Sequence, residues 1–175
     1  MPFHVHVKHA LRISRHALES YSRVLDAGSD AIFNPNPRRF QTRLSREDPL
    51  VVRVEAFLRR AGYLDNRTLA DAVVLRSLTG CQRQQWHTDF DPRTCQSAAT
   101  MPLGILLALQ DDTYFHVLDE EVFTMERGDV LIFSGDTVHA GAAYEKTNVR
   151  IHMYMDSNDV RRTKNTTYLL SDPPH

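Results

Sequence analysis

The sequence predicts a mainly β domain (α+β), a sandwich or barrel with two N-terminal helices packed on one face. Three observations predict it. From Ala72 onward, short apolar or alternating runs recur at close spacing, with turn residues such as Asp111-Asp112, Arg127-Gly128-Asp129 and Ser134-Gly135-Asp136 between them. Before that point, two stretches carry helical spacing and end signals. The last run, "NVRIHMYM", alternates an apolar face (Val149, Ile151, Met153, Met155) with a polar one (Arg150, His152, Tyr154).

In chain order, "FHVHV" alternates Phe3, Val5 and Val7 against His4 and His6, the period of a strand. Its outward histidines, with His9 and His16, read as surface. Ala17, Leu18, Tyr21, Val24 and Leu25 make one face of a helix that follows Ser14 and stops at Gly28. Two prolines make "NPNPRRFQTRLS" (Asn34 to Ser45) read as a loop. Asp48-Pro49 supplies an N-cap and a proline at the first helical position; Val51, Val54, Phe57, Leu58 and Ala61 line the next helix, which Gly62 closes. Strands follow at "AVVLRSL", the fully apolar "LGILLAL", "YFHVL", "EVFTM", "VLIF" and "NVRIHMYM". The chain therefore divides into a strand and supporting helices (1–65), a β core (72–156) and a C-terminal tail (157–175), all in one domain of 1–175.

Composition bounds the function. The 175 residues are 42% hydrophobic and 25% charged, with a net charge of -1, which argues against a dedicated nucleic-acid binder. Arginines cluster at Arg38, Arg39, Arg43 and Arg46, and at Arg161 and Arg162; both clusters read as solvated loops, with a surface for an acidic partner as the alternative. No apolar run reaches the roughly 18 residues that span a bilayer, and "MPFHVHVKHA" has no secretory core. These absences point to the cytoplasm or nucleus. Two cysteines, Cys81 and Cys95, are too few for a disulfide scaffold and read as free thiols, a bridge between them remaining open. There is no phosphate loop, Cys-x-x-Cys pair or nucleophile elbow.

The chemistry-bearing residues lie in the β core. "QQWHTDFDP" places His87 and Asp89 two residues apart after a strand; His139 follows the "GDVLIFSGD" hairpin, and Arg150 comes eleven residues later on the final strand. Two histidines and a carboxylate can occupy one face of an octahedral metal and leave the rest open, as in non-haem Fe(II) oxygenases. Asp91 could substitute for Asp89, but Asp91-Pro92 is better explained as a turn. If the polar face of the last strand points inward, Arg150 is buried and needs an anionic partner.

These residues, with "GDVLIFSGDTVHAG…NVRIHMYMD", resemble the Fe(II)/2-oxoglutarate-dependent dioxygenase superfamily, in particular its phytanoyl-CoA-hydroxylase-like and prolyl-4-hydroxylase-like members. The resemblance covers about Ala72 to Asp156. It implies a double-stranded β-helix (jelly-roll, cupin-like) barrel. It implies Fe(II) held by the catalytic residues His87, Asp89 and His139, and 2-oxoglutarate held by Arg150. Dioxygen is then the second co-substrate and ascorbate a candidate reductant. His152 stands where many such enzymes carry a small hydroxyl residue that assists the same carboxylate, and is a second candidate for the co-substrate, with Tyr154 behind it. Trp86, Phe90, Arg76 and Gln84 are candidates for substrate contact; Trp86 and Phe90 could equally be core aromatics. His116 reads as packing.

The expected reaction is hydroxylation of a protein or peptide side chain, with release of succinate and carbon dioxide. A small free metabolite is the alternative substrate. A zinc-dependent hydrolase and a catalytically silent barrel used as a binding module are the alternatives from other classes. No membrane partner is expected, and the oligomeric state is open.

Overall fold

The strand containing "NVRIHMYM" lies in the middle of the molecule, and its two faces organise what surrounds it. The computed structural model describes residues 3–32, 38–120, 122–164 and 166–170. Its elements are β1 (His4–Val7), α1 (Arg15–Ala27), β2 (Asp30–Ala31), β3 (Arg39–Arg43), α2 (Pro49–Arg60), β4 (Arg67–Ser77), β5 (His87–Thr88), β6 (Leu103–Ala108), β7 (Thr113–Val117), β8 (Phe123–Met125), β9 (Val130–Ser134), β10 (His139–Gly141), β11 (Asn148–Ser157) and β12 (Tyr168–Leu169). A seven-stranded sheet has the order β1-β9-β6-β11-β4-β3-β2, and a five-stranded sheet the order β12-β5-β10-β7-β8. From β4 to β7 the chain alternates between the two sheets, and from β8 to β11 it does so again, which is the winding of a jelly roll. The sheets face each other without closing into one hydrogen-bonded barrel.

The apolar face of β11 packs as its alternation predicts. Val149, Ile151, Met153 and Met155 join Ile105, Leu107, Val130 and Ile132 of the same sheet and Leu25, Val51, Val54 and Leu58 of the two helices in one buried cluster. The helices are specified locally. Ser14 caps α1 by accepting the Ala17 N–H, and Asp48 caps α2 by accepting from Leu50 and Val51. Tyr21, midway along α1, donates its hydroxyl to Asp48 at 2.5 Å, joining that helix to the start of α2. The opposite face of β11 turns Arg150, His152 and Tyr154 into the space between the sheets.

The Gly128-Asp129 turn anchors the N-terminal strand. Gly128 has φ of 93°, and a Cβ there would meet the Leu11 carbonyl oxygen at 2.0 Å. Asp129 is 1% exposed and accepts from the His9 backbone at 2.7 Å and the Glu126 backbone at 3.0 Å; the His6 ring donates to it at 2.8 Å. His6 is thus half-buried and bonded rather than simply surface-facing.

Three expectations change. Of the stretch read as a loop from Asn34, residues 34–37 lie outside the described ones, and Arg39–Arg43 is a strand pairing with β4 from Arg39↔Ser77 to Arg43↔Val73. Its arginines are not freely solvated: Arg39 is buried, and Arg43 pairs with Asp71 at 2.9 Å. The segment read as a tail contributes Tyr168–Leu169, which pair with Thr88 and His87, while residues 171–175 lie outside the described ones. Cys81 and Cys95 are free and buried in different clusters. Among the described residues no helix is long and apolar enough to cross a membrane.

Candidate metal centre and its cavity

Strand pairing in the smaller sheet brings the two histidines together: His139, at the start of β10, stands opposite His87 at the start of β5. Asp89 follows directly after β5. The turn that aims it is held by Thr88, whose hydroxyl donates to the Phe90 carbonyl at 2.8 Å, and by Phe90 itself, 1% exposed among Val73, Leu75, Cys95 and Tyr154. One ligand atom from each of His87, Asp89 and His139 lies within 4.8 Å of the others, and all three residues are buried.

The hydrogen bonds set the histidine tautomers. His87 Nδ1 lies 2.8 Å from the Gln85 carbonyl, and His139 Nδ1 lies 2.9 Å from the Thr137 carbonyl. A carbonyl only accepts, so each Nδ1 carries the proton and each Nε2 keeps a lone pair for the centre of the site. Burial drives the His139 imidazole down to about 3, so it is neutral at ordinary pH. Burial acts to raise the Asp89 carboxyl, but the adjoining His139, His152 and His87 rings outweigh it and hold the group below the usual carboxylate range. Asp89 Oδ2 is buried without a hydrogen bond, 3.4 Å from His139 Nε2. Two imidazole Nε2 atoms and an unpartnered carboxylate oxygen at one point fit a divalent metal, and the N₂O donor set suits Fe(II).

The centre lies in a cavity of about 410 Å³. Arg150, 4% exposed, lines its inner end; Nη1 donates to Ser77 Oγ at 3.1 Å and to Asn148 Oδ1 at 3.4 Å, and the guanidinium carbon stands 5.4 Å from the Tyr144 ring centre. Among the described residues, no carboxylate reaches Arg150 within ion-pair distance. Asp30, Ala31 and Thr167 make an exposed rim at the other end.

His152 also faces the cavity. Its Nε2 is 3.3 Å from Asp89 Oδ2, with neither atom otherwise bonded. Its ring stacks on Tyr154 at 4.3 Å, and Arg162 covers the far side of Tyr154 at 3.7 Å. His152 therefore touches the carboxylate ligand candidate, not the Arg150 end.

The substrate candidates separate. Gln84 lines the cavity and accepts from the Gly141 N–H at 3.1 Å. The other three lie outside the cavity lining. Arg76 points to the opposite face of β4, where it pairs with Asp26 of α1. Trp86 stacks with Arg83 (4.5 Å) and packs edge-on to His116 (6.5 Å), outside the cavity lining. Phe90 is the core anchor just described. Asp91 forms the turn expected of it, bonding the Arg93 backbone at 3.0 Å. The sequence reading missed Arg39, Gln41 and Ser77. The first two line the cavity from alternate positions of β3, a period of two that "RRFQTR" does contain.

No protein-family model and no curated protein matches this sequence. Solved structures do. The epimerase SnoN, in complex with Fe3+, alpha ketoglutarate and nogalamycin RO, superposes with a TM-score of 0.68 over 93% of this chain and 82% of its own, at 17% identity. The fold is that of the iron- and 2-oxoglutarate-dependent oxygenases. The viral collagen prolyl hydroxylase of Paramecium Bursaria Chlorella virus-1, in its 2OG complex, matches at a TM-score of 0.62 and 14% identity, covering 88% of this chain and 96% of that one. HygX from Streptomyces hygroscopicus, with nickel, 2-oxoglutarate and hygromycin B bound, matches at 0.65 and 12%, covering 89% and 83%. Within this oxygenase fold, β4 to β11 form the double-stranded β-helix, and β1 to β3 and β12 extend its two sheets.

Proposed function

We propose that the protein is an Fe(II)/2-oxoglutarate-dependent dioxygenase that hydroxylates a protein or peptide side chain. One observation carries the reading: two Nδ1-protonated histidines and an unpartnered carboxylate converge in a cavity whose inner end holds a buried arginine without an acid. His87, Asp89 and His139 would hold the iron, which supplies dioxygen-dependent oxidation of a substrate C–H bond while 2-oxoglutarate leaves as succinate and carbon dioxide.

The chain's own residues do the rest. Gln85 and Thr137 keep the two imidazoles in the ligating tautomer through their carbonyls. His152 stands 3.3 Å from the Asp89 carboxylate without a hydrogen bond to it and is itself held by the Tyr154 stack. Arg150 binds the far carboxylate of the co-substrate, for which a planar guanidinium is well shaped. Phe115 and Phe133, packed on His139 at 4.9 and 5.1 Å, keep water from that side of the site. Ascorbate would serve to keep the metal ferrous.

The rim supports a peptide substrate. β2 is the edge strand of the larger sheet, and its residues Asp30 and Ala31 line the cavity, so an extended chain can add there by backbone hydrogen bonds. The collagen prolyl hydroxylase among the structural neighbours accords with that choice. A small free metabolite is the second reading, which SnoN with nogalamycin RO and HygX with hygromycin B favour. A hydrolytic zinc site gives Arg150 no partner. The test is turnover: with Fe(II), dioxygen and 2-oxoglutarate the protein should form succinate slowly alone and faster with its substrate, and His139→Ala should form none. Succinate absent from the wild type under every substrate class, or undiminished in His139→Ala, contradicts the reading.

A further inference from the structure

Arg150 is not the only buried cation at the inner end of the cavity. Arg39, on β3, is 1% exposed and lines the same space. Strand register puts Ser77 of β4 between them: it pairs with Arg39 on one side and with Asn148, two residues before Arg150, on the other. The Ser77 hydroxyl oxygen accepts from Arg39 Nη1 at 2.8 Å and from Arg150 Nη1 at 3.1 Å. Two guanidinium groups therefore share one neutral oxygen, their Nη1 atoms within about 6 Å of each other.

Arg39 is otherwise satisfied by carbonyls only. Its Nη2 donates to Gln82 at 2.8 Å, to Gly141 at 3.2 Å and to Ala142. Among the described residues, no carboxylate reaches either guanidinium within ion-pair distance. Capping three carbonyls needs donors, not charge. Two like charges buried side by side repel each other and are costly to keep without a counter-ion. Burial, and then the charge of Arg150, accordingly bring Arg39 down to about 10, still protonated at neutral pH. Gly141 leaves room for the Gln84 and Arg39 side chains, since a Cβ there would meet Gln84 Oε1 at 2.3 Å and Arg39 Nη1 at 3.1 Å.

We propose that Arg39 and Arg150 together form a dicationic seat for one anionic group, Arg39 supplying the second charge and holding Arg150 in place through Ser77. The naming of that group as the distal carboxylate of 2-oxoglutarate rests on the functional reading above; the seat itself rests on the two arginines. Arg39 is then a positioning residue for the co-substrate.

The experiment compares binding of 2-oxoglutarate and 2-oxobutyrate, which lacks the distal carboxylate, to the Mn(II)-loaded protein by titration calorimetry. Arg39→Gln should weaken 2-oxoglutarate about 30-fold and Arg39→Lys, which keeps the charge, less than about fivefold. The affinity for 2-oxobutyrate should change less than about twofold in both variants. Equal loss of both 2-oxo acids makes Arg39 a structural clamp and overturns the proposal, as does unchanged 2-oxoglutarate binding. A second arm uses metal-free protein and glutarate, read as protection against thermal unfolding relative to chloride at equal ionic strength. If the wild type binds neither 2-oxo acid, the functional reading fails, and this arm decides the seat. Protection lost in both Arg39→Gln and Arg150→Gln supports it. Protection absent from the wild type, or dependent on Arg150 alone, overturns it.

Discussion

At the scale of single residues, the candidate site depends on where protons and charges reside. Both histidines of the triad spend Nδ1 on a carbonyl, and the aspartate has no donor of its own. Asp89→Asn keeps the shape and removes the charged ligand, so Mn(II) affinity should fall at least about 100-fold in a paramagnetic titration; near-wild-type affinity would take Asp89 out of the metal site. Asp129 has a different, structural role. Burial acts to raise its carboxyl, but the backbone N–H groups of His9 and Glu126 and the His6 ring outweigh it and leave the group below its ordinary value. A carboxyl depressed in the folded state stabilises above its unfolded value of about 3.9 and loses that stabilisation as pH falls through the folded one. Asp129→Asn should therefore cost about 1–3 kcal/mol in urea unfolding at pH 7, with the deficit shrinking below pH 4; a deficit independent of pH would point to lost geometry instead of lost charge.

At the scale of elements, legibility followed length and contrast. β11 was readable because Asn148 to Met155 alternate polar and apolar without a break, and α1 and α2 because their caps stand beside their apolar faces. β3 was not, because "RRFQTR" follows two prolines and its arginines suggested solvent, while only the tertiary register with β4 buries Arg39. β5 and β12 are two residues each, too short to carry a period. The triad was legible as spacing, His-x-Asp and a later His. That Trp86 faces outward and Phe90 inward was not, since both flank the motif alike. β6 carries a further constraint: a Cβ on Gly104 would meet the Phe133 ring at 2.3 Å, and Phe133 packs on both His139 and His152. Gly104→Ala should destabilise by about 1–3 kcal/mol and weaken metal binding as well, because the displaced ring presses on a ligand. Calorimetric unfolding and Mn(II) titration check the two effects together; loss of stability with unchanged metal affinity would show that Phe133 moves away from the site.

At the scale of the whole molecule, one sheet divides two chemistries. The seven-stranded sheet presents a largely apolar face to the helices, interrupted by the Arg76–Asp26 pair, and a face with arginine, histidine and serine to the smaller sheet. The first face stabilises the fold by burial, so the second can hold unpaired cations and an unpartnered carboxylate. The architecture was legible from the sequence largely through the ordered set His87, Asp89, His139 and Arg150; the substrate was not, because the rim is built from short, irregular segments such as Asp30–Ile32 and Thr167. The central claim is that metal and co-substrate bind this cavity together. Its most direct measurement is thermal unfolding with Mn(II), with and without 2-oxoglutarate, on the wild type and Arg150→Ala. With metal present, 2-oxoglutarate at about 100 times its Kd should raise the wild-type Tm by about 5–10 °C, while Arg150→Ala should keep the metal shift and lose most of the co-substrate shift. A wild type whose Tm 2-oxoglutarate leaves unmoved in the presence of metal would contradict the account.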